Sequence, residues 1–120
     1  MSTRNKALMD ALAILAADAG EQLAFLAKQD VPVGVDEIAL DYDAIAVAAK
    51  DMLLNREITE AQCDCVASLN DRLKEMSGTT NASLWTAEAL YSSGEWQKIR
   101  KQAKKCLQLF LEKPGNIHDK

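Results

Sequence analysis

Trp96-Gln97-Lys98-Ile99-Arg100-Lys101-Gln102-Ala103-Lys104-Lys105-Cys106-Leu107-Gln108-Leu109-Phe110 is the stretch that decides the fold of this chain. Its apolar positions Trp96, Ile99, Ala103, Cys106 and Phe110 recur at alternating spacings of three and four. That period places them on one face of an α-helix and turns the lysines to the other. Ser92 and Glu95 stand three apart just before it, a pattern in which two side chains satisfy each other's free backbone N–H groups. The helix is therefore predicted to start there, run to about Glu112 and stop at Pro114-Gly115.

The same reading extends toward the N-terminus. Thr59 and Gln62 form a second capping pattern, followed by Val66, Leu69, Leu73 and Met76 at helical spacing, with Gly78 as the stop. Asp36 is the expected cap of a helix reaching Asn55, its inward stripe Ile38, Tyr42, Ile45, Ala49 and Met52. A long first helix is expected from Thr3 to Gln29, with Leu8, Leu12, Leu15, Ala19, Leu23 and Leu26 inward. Asp30, Pro32 and Gly34 form the connector after it. Asn81 or Ser83 is expected to cap a short helix through Tyr91, placing Leu84, Ala87 and Tyr91 on one side. Alanine and leucine dominate the apolar residues, and unbranched side chains keep their rotamer freedom in helices. The expectation is an all-α, single-domain bundle of four to five helices over residues 1–113, with a frayed tail over residues 114–120.

Apolar residues make up 48% of the 120 and charged residues 27%, the balance of a globule with one modest core. Arg4, Lys6 and the apolar run from Ala7 imitate an export leader. Asp10 interrupts that run, and its helical period continues past the small residues that would be the cut, so a leader is not expected. Three cysteines, an odd number, argue against a disulfide framework and suit a reducing cytoplasm. No stretch is apolar for long enough to cross a bilayer.

Catalytic equipment is not apparent. The single histidine, His118, falls in the expected tail, where nothing holds a general base in place. Cys63 and Cys65 are two apart on a helix, so their thiols diverge; all three cysteines read as small apolar residues, with Cys65 nearer the core and Cys63 on the flank. Glu57-x-x-Glu60 supplies half of the acidic pattern of metal-dependent helical nucleotide hydrolases. The second half, E-x-x-D on a later helix, does not occur. No cofactor or metal is called for, and the chain reads as a non-enzyme.

Charge carries more information. The net charge is −4. From Asp30 to Glu75 eleven acids face four bases, while from Lys98 to Lys113 six bases face Glu112 alone. Asp36, Glu37, Asp41, Asp43 and Asp51 crowd the second predicted helix and are the candidate partner-binding residues. The competing reading is a solvated face whose first acids suit the positive end of the helix dipole. Lys98, Lys101, Lys104 and Lys105 form an alternative basic face for phosphates or an acidic partner. Trp85 and Trp96 read as core anchors at a helical corner, with a binding hot spot as the alternative.

Leu8-Met9-Asp10-Ala11-Leu12, Glu21-Gln22-Leu23 and Tyr42-Asp43-Ala44-Ile45-Ala46 give the first half of the chain a look that resembles the small, acidic, all-helical immunity proteins that bacteria keep against secreted toxins. The resemblance covers about half the chain. It implies that the acidic face of the second helix binds a basic toxin or effector surface, with electrostatic attraction giving fast capture. A helical subunit of a nucleoprotein assembly, using the last helix, is the second expectation, and a metal-dependent nucleotide hydrolase the third. Broad apolar stripes on the first two helices also leave room for a homodimer.

Overall fold

A computed structural model describes residues 3–29 and 33–111, and the regular elements among them are all helical. They are α1 (Thr3–Ala16), α2 (Ala19–Ala27), α3 (Asp36–Ala46), α4 (Ala49–Leu54), α5 (Glu60–Glu75), a 3-10 segment (Thr79–Trp85), α6 (Ala87–Ser92) and α7 (Gly94–Leu111). Asp30, Pro32, the 112–120 segment, its expected tail and His118 lie outside the described residues.

Four elements form the body of the bundle. α1 packs on α7 and α3, and α5 closes the ring against α7 and α3, with α4 continuing along α5. Leu8, Leu12 and Leu15 of α1, Ile38 and Tyr42 of α3, Val66 and Leu69 of α5 and Ile99 of α7 meet in the centre. Trp96, Ile99, Ala103, Cys106 and Phe110 are all buried, as the spacing of three and four requires. The phenol of Tyr42 is fully buried and donates to the Val66 carbonyl at 2.7 Å, which ties α3 to α5. Burial holds this phenol above the ordinary tyrosine range.

The start of α5 follows its capping pattern. Thr59 Oγ1 accepts from the Gln62 amide at 3.1 Å, and Gln62 Oε1 accepts from the Thr59 amide at 2.8 Å. The Gln62 side-chain amide also donates to the Leu109 carbonyl at 2.9 Å, so one residue caps α5 and fastens α7.

Other boundaries differ from the sequence expectation. The long first helix is two. Asp18, in extended backbone, caps α2 by accepting from the Glu21 amide at 2.8 Å. Gln22 is completely buried and donates to the Ile14 and Leu15 carbonyls in the last turn of α1, where Ile14 also accepts from the Ala17 amide. The second helix breaks at Val47-Ala48 into α3 and α4, and Val35 rather than Asp36 occupies the N-cap, with no side-chain cap bond. Thr86, not Asn81 or Ser83, caps the helix before the last one, and Leu90 is buried there while Tyr91 is 61% exposed. Ser93 rather than Ser92 caps the last helix, accepting from the Glu95 amide at 3.1 Å. The Ser92 hydroxyl is spent on the Glu88 carbonyl of α6.

The cysteines depart furthest from expectation. Cys65 of α5 and Cys106 of α7 form a disulfide, with Cα atoms 5.7 Å apart. Cys63, expected on the flank, is buried and free, and Cys65 is the half-exposed member. The divergence of neighbouring thiols on one helix holds. Its consequence is that Cys65 reaches across to α7 instead of toward Cys63.

Candidate functional site

The five candidate acids separate into three environments. Asp36, Glu37 and Asp41 sit on the first two turns of α3. Glu37 and Asp41 are one turn apart, near enough for a hydrogen bond between their carboxyl groups when one is protonated. That bond and the neighbouring charges of Asp41 and Asp36 hold the Glu37 carboxyl above the ordinary glutamate range. Asp43 points the other way, half-buried against α5, where it accepts from the Asn70 side-chain amide at 2.8 Å. Asp51 stands on α4 and accepts from Arg4 of α1 at 2.9 Å. The same guanidinium pairs with Glu57, and Asn5 donates to the Glu57 carbonyl at 3.0 Å. Asp43 and Asp51 thus act within the fold, and Glu57 of the half-hydrolase pattern is held by Arg4. Among the described residues no group of three or more histidine, cysteine or carboxylate side chains is placed to hold a metal ion.

Beside the first cluster lies a groove of about 300 Å³ between α1, α2 and α3. Its walls are Ile14 of α1, Phe25 of α2, and Ile38 and Ile45 of α3; Asp10 and Asp41 line it from opposite sides. Lys6, one turn before Asp10, pairs with it at 3.1 Å, and both side chains are largely exposed. Asp10 enters the sequence reading as a break in an apolar run and within the Leu8–Leu12 stretch, not as a site residue. A stronger signal was present: Ala7, Asp10, Ala11 and Ile14 repeat at three and four beside the buried Leu8-Leu12-Leu15 stripe. Two alanines at such positions leave a hollow.

The opposite charge sits on α7, where Lys98, Lys101, Lys104 and Lys105 are all exposed. Arg100 of the same helix turns inward. Its guanidinium donates to Gln22 Oε1 at 2.9 Å and to the Leu90 carbonyl. Trp85 and Trp96 meet edge to face with ring centres 5.4 Å apart. Their indole N–H groups donate to the Met76 and Leu84 carbonyls at 2.8 and 2.6 Å. Both tryptophans anchor the corner between α5, the 3-10 segment and α7. A separate row of exposed apolar side chains, Leu40, Val47 and Leu54, follows the outer face of α3 and α4. No helix among the described residues is long and apolar enough to cross a membrane.

Comparison with known proteins gives no match: no family model, no curated protein and no solved structure matches this chain.

Proposed function

We propose that this chain is a non-catalytic binding protein, of the inhibitor or immunity kind, that captures a basic protein surface such as that of a toxin or effector through the acidic start of α3. One observation carries the reading. Glu37 and Asp41 lie one turn apart on α3 as like charges, with Asp36 next to Glu37 and Asp10 across the groove from Asp41. Such an arrangement works against the folded chain alone and becomes favourable once a cation arrives. Of the five acids first singled out, Asp36, Glu37 and Asp41 carry the binding in this proposal, while Asp43 and Asp51 support the frame. The experiment is calorimetric titration with the product of the adjacent gene. Reversal of Glu37 and Asp41 to lysine is expected to abolish binding that Asp51→Asn leaves intact; unchanged affinity in the reversal variant rejects the acidic-face mechanism.

The disulfide bears on where the protein works. Such bonds persist in oxidising compartments and are rare in the reducing cytosol. The Cys65–Cys106 bond therefore supports an oxidising compartment over the cytoplasm suggested by the cysteine count. Trapping thiols in intact cells before lysis and weighing the protein decides between the two.

A second reading uses α7. Four exposed lysines along one helix are the electrostatic footprint of phosphate-backbone binding. It requires binding to nucleic acid that weakens steeply as salt is raised; no binding in dilute salt rejects it.

A further inference from the structure

We infer that the groove between α1 and α3 seats one large apolar side chain, presented on a lysine- or arginine-bearing segment of the protein partner; the inference rests on the acidic-face reading above. The walls decide the first half. Ile14, Phe25, Ile38 and Ile45 offer an apolar surface that neither an ion nor a bare lysine uses well. Its volume of about 300 Å³ is at the lower end of ligand clefts, which usually occupy roughly 300–1,000 Å³. That is room for a side chain, not for an extended cofactor.

The rim decides the second half. Asp10 and Asp41 line opposite sides, and Glu37 stands one turn before Asp41 on α3, with Asp36 next to Glu37. A segment whose apolar anchor enters the groove brings its neighbouring residues to these carboxylates. Cations at those positions are attracted, and carboxylates are repelled. Lys6 already answers Asp10, in an exposed pair that an arriving cation displaces at little cost. A buried apolar anchor ringed by polar contacts is the usual make-up of a binding hot spot.

The test uses the full chain, labelled with nitrogen-15, titrated with three acetylated and amidated tripeptides: Lys-Phe-Lys, Lys-Ala-Lys and Glu-Phe-Glu. Lys-Phe-Lys is expected to shift the amides of Ala11, Ile14, Ile38 and Asp41 in a saturable way. Lys-Ala-Lys is expected to bind at least fivefold more weakly, and Glu-Phe-Glu not at all. Ala7 is exposed at the rim, so Ala7→Phe covers the groove without touching the core; it is expected to weaken Lys-Phe-Lys at least fivefold, with the helical circular dichroism unchanged. If Lys-Ala-Lys binds at the same amides as tightly as Lys-Phe-Lys, the groove inference falls while the acidic-face reading stands. If no basic peptide moves these amides, both fall. If the amides shift with protein concentration alone, the occupant is a second copy of this chain, and the inference is overturned.

Discussion

Arg100 donates to Gln22 Oε1 at 2.9 Å across 78 residues of sequence, and Gln22 in turn donates to the two carbonyls that end α1. One fully buried amide thus turns the chain between α1 and α2 and receives a half-buried cation from α7. Desolvation holds the Arg100 pKa below its ordinary value, but a guanidinium stays charged throughout the physiological range. Gln22→Leu keeps the volume and removes every one of these bonds. Arg100 then keeps only the Leu90 carbonyl and the Leu15 carbonyl loses its side-chain donor, at a cost of about 1–3 kcal/mol. Urea unfolding is expected to show a lower midpoint with an unchanged slope.

The disulfide joins α5 to α7 and closes a loop with a sequence separation of 41. Loop-closure entropy for a ring of that size predicts a contribution of about 4 kcal/mol, less whatever structure the reduced unfolded chain retains. Cys106→Ala is expected to lower stability by up to that amount, and a reducing agent is expected to have the same effect on the unaltered protein. Thiol counting in denaturant checks the pairing. One reactive thiol, Cys63, is expected before reduction and three after.

α4 ends on a residue suited to glycine. Arg56 has a φ of 60°, and the Glu57 amide reaches back to the Met52 carbonyl at 2.8 Å while the Arg56 amide bonds Leu53 at 3.0 Å. This double return is the usual close of a helix on a left-handed residue, where any side chain is strained. Arg56 is exposed, so its replacement uncovers nothing. Arg56→Gly is expected to stabilise the protein by about 1 kcal/mol, read as a higher thermal midpoint.

What could be read along the chain was whatever local spacing decides. α5 follows from its capping residues and stripe, and α7 from its stripe, although its cap is Ser93 rather than Ser92. The break at Asp18 was legible in principle, because Asp18 and Glu21 form a capping pattern. The apolar period from Leu15 through Ala19 to Leu23 ran across it and concealed it. The break at Val47-Ala48 has no local signal, since alanines on both sides suit a continuous helix. The cysteine pairing needed α5 beside α7, which no spacing within either helix states. The acids illustrate the same limit. Asp43 and Asp51 look like Asp36 and Asp41 in sequence, and only Asn70 and Arg4, 27 and 47 residues away, set them apart.

Those separate roles lead to opposite effects on stability. The folded state binds the Glu37 proton more tightly than the unfolded chain does, because Asp41 is held against it. The stabilisation from that proton is complete below the unfolded value, about 4.3, and is lost as pH rises through the higher folded value. At pH 7 the pair therefore opposes folding. Glu37→Gln keeps a donor toward Asp41 and removes one charge, so it is expected to raise the thermal midpoint at pH 7 and change it little at pH 3. Asp51→Asn acts in the other direction. It loses the exposed pair with Arg4 and lowers the midpoint slightly at pH 7. Thermal scans of both variants at the two pH values separate an acid that the fold tolerates from one that the fold uses. A stability gain in Glu37→Gln accompanied by weaker binding of a basic partner is the trade expected at a functional site. A midpoint unchanged at pH 7 contradicts the like-charge strain assigned to this pair.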